Sequence, residues 1–303
     1  MLITRRDVGK LALAAGTAAR LMAAKPNSKF GGVQIGAITY SFRALPSGAG
    51  DVLKYCVDCG ISGIELMSNT AESYAGAPPA QPKAAEERKN WRLSVSMDKY
   101  KAFRKMYESA GVKIYAFKLP PTLAMSDQEY DYIWNVGETL GANHITMELP
   151  TDDKLLQRVA DYAAKRKLRI AFHTHGQGGS SGFDKVLAAS KYTALNFDVG
   201  HYYGVNGESP APLVEKYHDR IASLHLKDRK GPSSSADKTG ARAGGPNMPW
   251  GQGETPLKEI LQLMKKRKYK FPASIEYEYN TPEGSDVLAE MKKCVEYCKQ
   301  ALA

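Results

Sequence analysis

Short apolar runs alternate with amphipathic stretches along most of this chain of 303 residues. The runs are rich in Ile, Val, Phe and Tyr, and the segments between most of them place apolar residues at helical spacing. The predicted strands are 33–42, 62–67, 112–120, 144–150, 168–176, 194–201, 221–228 and 271–279. Eight alternating strand and helix units predict an α/β protein with a single (β/α)8 TIM barrel. A doubly wound open sheet is the alternative, but no GxGxxG follows the first strand, which argues against a dinucleotide-binding fold.

Residues 1–25 have the features of an export signal. The paired arginines Arg5 and Arg6 precede a short, weakly apolar run that leads to small residues near Ala24. The run is too short to cross a membrane. Its pattern resembles a twin-arginine signal, although Gly9 stands where a bulky apolar residue is usual. We therefore expect a barrel over 26–303 that is exported to the periplasm and has no stable membrane insertion once the signal is removed.

The formal net charge of +10 raises the question of an anionic partner. Part of this charge belongs to the first segment, and another part lies in the run KKRKYK at 265–270. That run ends an amphipathic stretch, so we interpret it as the solvated last turn of a helix and not as a nucleic-acid site. Both cysteine pairs, Cys56 with Cys59 and Cys294 with Cys298, have helical spacing, which predicts small buried residues and not a zinc site or disulfides.

Two segments that follow predicted strands are long for loops of a barrel. They are 68–95, which contains AGAPPAQP, and 229–255, which is rich in Gly, Ser and Pro. Loops after barrel strands lie over the active face, so both segments are candidate lids, with tolerated surface insertions as the alternative.

Charged residues and histidines mark the C-terminal ends of five consecutive predicted strands, which is the end where TIM barrels carry their active sites. They are Glu148 on strand four, His173 and His175 on strand five, Asp198 and His201 on strand six, His225 and Asp228 on strand seven, and Glu276 and Glu278 on strand eight. Residues two apart on a strand share a face, so each of the pairs on strands five and eight should point the same way.

Carboxylates and imidazoles that converge on one barrel mouth, without thiolates, predict a site for one divalent metal ion. Mn²⁺, Mg²⁺, Co²⁺ and Zn²⁺ all suit such a mixed set of nitrogen and oxygen ligands. The alternative is a purely structural network in which buried acids pair with Lys118, Lys227 or Arg229.

The ordered motifs NFDVGH (196–201), SLHLKD (223–228) and SIEYEYN (274–280) resemble those of the xylose-isomerase-like TIM barrels, the superfamily of sugar phosphate isomerases and epimerases. The resemblance implies one divalent ion, and its positions correspond here to Glu148, Asp198, His225 and Glu276. It covers the chain from the first predicted strand nearly to its end.

The sequence departs from that pattern on strand five. The sugar epimerases of this superfamily carry a ligand Glu there and use it with the strand-eight Glu as paired acid and base. This chain has His173 instead. The His-x-His of His173 and His175 is closer to the inosose dehydratases of the same superfamily, which also place a Glu at the end of strand four.

The resemblance implies a metal-dependent sugar isomerase or epimerase that deprotonates the carbon next to a sugar carbonyl through an enediolate. The alternative is a metal-dependent lyase or dehydratase that acts on a keto-sugar, such as a 3-keto-glycoside or an inosose. We predict Glu148, His173 and Glu276 as catalytic residues, and the base is His173, His175 or Glu148.

Five further residues are predicted to contact the substrate: His175, His201, Lys118, Trp250 and Asp228. Three of them have a plainer alternative that the sequence leaves open. His201 could be an ordinary loop histidine, Lys118 could pair with Glu65, and Trp250 could be a loop-packing aromatic residue.

Two hypotheses from other classes compete with a sugar enzyme. Endonuclease IV enzymes share this barrel, but they need more histidines on strands two and three, where this chain has Glu65 and Lys118. A non-catalytic sugar-binding barrel is the other. We expect a small sugar or keto-sugar as partner and no nucleic acid, and the sequence leaves open whether the chain forms a homo-oligomer.

Overall fold

A closed barrel of eight parallel strands forms the centre of the molecule. The computed structural model describes residues 25–176, 180–232 and 243–303. The barrel strands are β2 (Val33–Ile38), β3 (Gly63–Met67), β4 (Lys113–Lys118), β5 (His144–Glu148), β6 (Arg169–His173), β7 (Thr193–Asp198), β8 (Ile221–Leu226) and β9 (Ala273–Ile275). The short β1 (Lys29–Phe30) precedes them and pairs antiparallel with β2. β2 pairs with β3 on one side and with β9 on the other, so the sheet closes. The predicted (β/α)8 barrel is confirmed, and predicted strands one to eight are β2 to β9.

Helices surround the barrel strands in the described residues. They are α1 (Ala49–Asp58), α2 (Ser68–Ala75), α3 (Ala85–Ser94), α4 (Asp98–Ser109), α5 (Asp127–Leu140), α6 (Asp153–Arg166), α7 (Ser180–Ala188), α8 (Val199–Asn206), α9 (Ala211–Tyr217), α10 (Leu257–Arg267) and α11 (Val287–Ala301). Short 3₁₀ turns lie at Thr39–Phe42 and Pro82–Ala84.

Local sequence signals fix the ends of these helices. Ser126 and Glu129 form a capping box at the start of α5, which satisfies backbone N–H groups that the first turn leaves without partners. Gly141 ends the same helix in the left-handed conformation, with φ 77°. Asp152 caps α6 by accepting hydrogen bonds from the backbone of Lys154 and Leu155.

The inner and outer faces of the barrel wall differ in side-chain size and polarity. In β6, Ile170 and Phe172 are buried in the main apolar core. Ala171, on the opposite face, forms a separate small cluster with Ala194 and Ala222 of the next two strands. Because successive side chains point to opposite faces, these alanines line the barrel interior, as His173 does. Small residues at this level leave interior space for the polar groups above them.

The segment 68–95 is helical, and its helices are docked against the barrel. It contains α2, the turn at Pro82–Ala84 and α3, and α2 carries the fully buried carboxylate of Glu72. Glu72 pairs with Arg88 and Arg92 of α3 and accepts a hydrogen bond from the hydroxyl of Tyr132 at 3.0 Å. These contacts hold the segment in place, so it is not an open lid loop.

Three other predictions concern the chain outside the barrel wall. The four cysteines are free and buried, as predicted. Within the described residues, no helix is both long and apolar enough to cross a membrane. The export signal predicted at 1–25 lies outside the described residues except for Lys25, and so does the part of the second candidate lid at 233–242.

Candidate metal centre and active site

The predicted site residues gather at the C-terminal mouth of the barrel. Glu148, His173 and Asp198 are the last residues of β5, β6 and β7. The strand register places Glu148 opposite His173 and Asp198 opposite His225. β9 ends at Ile275, so Glu276 follows the strand directly. Residues from different parts of the chain therefore meet at one end of the sheet.

Four buried side chains come close enough together to hold a metal ion. They are His173, Asp198, His225 and Glu276, and one potential ligand atom from each lies within 4.8 Å of all the others. Nδ1 of His173 and Oδ2 of Asp198 are buried and make no hydrogen bond to other described residues, although Oδ2 forms an ion pair with Nζ of Lys227 at 3.2 Å. Buried polar atoms are normally satisfied, so Nδ1 of His173 in particular fits the role of a metal ligand. Two imidazoles and two carboxylates suit Mn²⁺, Co²⁺ or Zn²⁺, and Mg²⁺ with its preference for oxygen less well.

Glu148 does not join this group in the described structure, although it was predicted as a ligand. His173 takes the fourth place. Glu148 instead accepts a hydrogen bond from Nζ of Lys118 at 2.9 Å, and its other oxygen lies 3.3 Å from Nδ1 of His175. Its side chain is 47% exposed, so it sits at the rim of the mouth, above the buried group. Lys118 thus pairs with Glu148 and not with Glu65.

His225 lies between two carboxylates. Its Nδ1 is 2.5 Å from Oε2 of Glu276, and its Nε2 is 2.7 Å from Oε2 of Glu65. Burial opposes the charged form, but the two carboxylates outweigh it and raise the pKa of His225 to about 10. Without a metal ion the ring is therefore an imidazolium at neutral pH that donates to both acids.

Glu65, on β3, is a site residue that was not predicted from the C-terminal ends of the strands. It is fully buried, and it also accepts a hydrogen bond from the hydroxyl of Thr146 at 2.7 Å and from the amide of Asn196 at 3.1 Å. Burial acts to raise its pKa, but contact with His225 lowers it to about 2. The sequence did contain a signal, because Glu65 is an acid between Ile64 and Leu66 in an apolar strand.

Lys227 occupies the space between the carboxylates of β7 and those that follow β9. Its buried Nζ lies 3.2 Å from Asp198, 3.2 Å from Glu276 and 2.6 Å from Glu278. Burial acts to raise the pKa of Glu276, but the charges of Lys227 and His225 outweigh it and hold that pKa well below its ordinary value. The buried ion-pair network considered as an alternative is therefore present, and it shares its acids with the candidate metal group.

His201 lies in the first turn of α8, directly above Asp198. Oδ1 of Asp198 caps that helix by accepting from the backbone N–H of His201 at 2.7 Å. The ring of His201 lies 2.9 Å from Nζ of Lys227 and 2.7 Å from Nη1 of Arg229. Burial and these two cations hold its pKa well below the ordinary value, so it is a neutral ring at the mouth, 4.6 Å from the ring of His175.

Two residues predicted to contact the substrate serve the loop after β8 instead. The carboxylate of Asp228 accepts hydrogen bonds from the backbone N–H groups of Gly251, Gly253 and Thr255. Trp250 packs edge-on against Tyr297 of α11, with ring centroids 5.6 Å apart. These contacts favour loop anchoring for Asp228 and loop packing for Trp250 over the predicted substrate contacts.

The comparisons with known proteins agree with this architecture. Residues 154–300 match the family model of the xylose isomerase-like TIM barrel, and this range supplies β6 to β9 together with all four residues of the metal group. Over these residues the chain is similar to the xylose isomerase-like TIM barrels. Among curated proteins, the inosose dehydratase of Clostridium botulinum (strain Eklund 17B / Type B) is 29% identical over 157 residues, or 48% of this chain. The match covers 52% of that protein, so the chain spans about half the length of the curated relatives it matches.

Solved structures share the fold of this barrel at low sequence identity. The probable 3-DHS dehydratase involved in petrobactin synthesis from Bacillus anthracis has a TM-score of 0.60 and 16% identity, over 87% of this chain and 98% of that one. The 3-keto-D-glucoside 4-epimerase from E. coli has a TM-score of 0.58 and 11% identity, over 88% of this chain and 99% of that one. At these identities the likeness shows the fold alone.

Proposed function

We propose that the protein is a divalent-metal-dependent dehydratase that acts on a sugar-like substrate with a carbonyl group, such as a keto-sugar or an inosose. The observation that carries the proposal is the buried group of His173, Asp198, His225 and Glu276, in which Nδ1 of His173 has no hydrogen-bond partner among the described residues. These four residues would hold the ion, which when bound would act as a Lewis acid toward the substrate carbonyl.

His175 is the candidate general base at the rim of the site. Its ring lies 4.8 Å from that of His173, centroid to centroid, and Nδ1 faces the carboxylate of Glu148. A carboxylate behind an imidazole orients the ring and stabilises its protonated form. Lys118 in turn holds Glu148 in position. His175 can therefore accept the proton from the carbon next to the carbonyl.

The same imidazole can complete an elimination. The electron pair of the broken C–H bond forms a carbon–carbon double bond, and the neighbouring C–O bond breaks. The hydroxyl group then leaves as water after taking a proton from the protonated His175. No net acid or base is consumed, and Glu148 compensates the transient positive charge on the ring.

The choice of elimination depends on the residue at the end of β6. His173 stands where the sugar epimerases that the sequence resembles carry a carboxylate, so the paired acid and base of an epimerase is not present in that form. The curated relative described above is named an inosose dehydratase, which supports the same choice. An isomerase or epimerase is the second candidate, because Asp198, His225 and Glu276 keep three of the four positions that the resemblance implies.

A reaction in D₂O separates the two candidates. With a panel of inososes and keto-sugars and added Mn²⁺, we expect a product that has lost one water, detected by mass spectrometry. His175→Gln should slow its formation by about 10²-fold or more, whereas the exposed His218→Gln should not. Deuterium in a product that has kept all its oxygen would support the isomerase or epimerase and contradict the dehydratase.

Metal affinity should rise with pH. The raised pKa of His225, about 10, means that below this pH an incoming ion competes with a proton on the ring. We expect about a tenfold gain in Mn²⁺ affinity per pH unit between pH 6 and 8, and proton release seen by calorimetry in buffers of different ionisation enthalpy. His225→Gln should weaken binding and remove this dependence. A chelator-treated protein that takes up no ion at any pH in this range would contradict the metal proposal.

A further inference from the structure

A basic cavity opens at the other end of the barrel, at the N-terminal ends of the strands. Its volume is about 580 Å³, and its lining includes residues that begin or directly precede each of the strands β5 to β9. Arg169 begins β6, whereas His173 of the metal group ends it. Four steps along a strand separate them by about 13 Å. The cavity is therefore distinct from the candidate active site.

Four exposed cations surround this cavity: Lys167, Arg169, Lys268 and Lys270. None of them forms an ion pair with another residue in the described parts of the chain. Asp219 is the single acid among the residues that line the cavity. Lys268 and Lys270 belong to the run KKRKYK, which the fold explains only in part, because α10 ends at Arg267, before these two residues. The cavity wall thus has an excess of positive charge that no described residue neutralises through an ion pair.

Two of the lysines hold an unfavourable backbone conformation. Lys167 and Lys268 follow α6 and α10 with φ of 55° and 57°, and they are the non-glycine residues with positive φ in the described chain. Glycine is the usual residue at such positions, because a Cβ atom raises the energy of left-handed backbone. A helix C-terminus favours a nearby cation, but a lysine in the last turn would provide that without strain. The strained lysines therefore point to a use for their charge at this rim.

The stacked aromatic rings beside the cavity form part of its wall and are not a surface on which a ligand stacks. Tyr269 is stacked on His218 at 5.2 Å and on Phe271 at 5.2 Å, measured between ring centroids. Its faces are thus already in contact with protein. A ligand would meet ring edges and the surrounding ammonium and guanidinium groups, so charge dominates recognition.

We propose that this cavity binds a compact polyanion, a small molecule with two or more phosphate or carboxylate groups. The volume lies in the range typical of small-molecule sites. Four cations gathered around one concavity suit a compact ligand better than a polymer, which needs an extended basic surface. The proposal does not depend on the reaction at the other end of the barrel.

Calorimetric titration with inorganic pyrophosphate and with citrate tests the proposal on the full chain. We expect saturable binding that weakens as salt is added. Lys167→Gly/Lys268→Gly should weaken it by at least about tenfold. The melting temperature of this variant should not fall, since glycine adopts positive φ without strain. Arg169→Gln/Lys270→Gln should weaken binding similarly and provides a second variant that leaves the left-handed positions unchanged.

A control with the same change in charge is Lys99→Gln/Lys105→Gln, two exposed lysines of α4. It should bind both probes as the wild type does. Absence of binding by the wild type, or equal losses in the control and in the cavity variants, would overturn the proposal. So would a short DNA duplex that binds at least about tenfold more tightly than pyrophosphate through the same lysines, because the site would then serve a polymer.

Discussion

Glu276→Gln should lower kcat/KM for the dehydration by at least about 10³-fold and leave the fold intact. Glutamine keeps the shape of the side chain but removes the negative charge that faces His225 and Lys227. In the proposed mechanism the same carboxylate helps to hold the metal ion, so the loss should also weaken Mn²⁺ binding. Steady-state kinetics and metal titration of the same preparation measure both effects.

Glu278→Gln is the matched control for this prediction. It makes the same chemical change two residues later, on a side chain that also contacts Lys227 but does not belong to the group of four. We expect a loss of about tenfold or less, because this acid acts on the group of four only through its neighbours Lys227 and His201. Equal losses in the two variants would contradict the assignment of the metal group and favour a network centred on Lys227.

The strand pattern made most of the site predictable. Apolar runs of strand length located β2 to β9, and in a parallel barrel all C-terminal strand ends meet at one mouth. His173, Asp198, His225 and Glu276 follow from this rule because each ends, nearly ends or directly follows its strand. Local periodicity and the parallel topology of the barrel are enough to predict these four positions.

Contacts across the barrel interior were not predictable in the same way. Glu65 lies in the middle of β3, and its partner His225 is 160 residues away in sequence. Which interior side chains touch depends on strand stagger, and no local pattern encodes it. The same holds for Lys227, whose side chain reaches from the end of β8 to Glu278 beyond β9.

The two hypotheses for the mouth, a metal site and a buried ion-pair network, turn out to involve the same acids. Lys227 lies 3.2 Å from both Asp198 and Glu276, which also belong to the group of four. Desolvated carboxylates require a cation or a proton nearby. A metal ion would therefore share these acids with Lys227.

The second large effect concerns stability, and it tests the docking of α2 and α3. Glu72→Ala should lower the free energy of unfolding by about 3–5 kcal/mol. The substitution leaves the guanidinium groups of Arg88 and Arg92 near a cavity without their carboxylate, with side chains only 14% and 13% exposed. It also removes the acceptor of the Tyr132 hydroxyl. Urea unfolding followed by circular dichroism measures the change.

A solvent-exposed ion pair on α4 provides the control that shows whether burial of Glu72 causes this effect. Glu108→Ala removes the partner of Arg104 on α4, where both side chains are more than 40% exposed, and it should cost less than about 1 kcal/mol. Glu72→Gln should lie between the two, because its amide oxygen can still accept from Tyr132 while the charge is lost. A Glu72→Ala protein as stable as the Glu108→Ala protein would mean that the segment 68–95 is held by apolar packing, and it would restore that segment as a candidate lid.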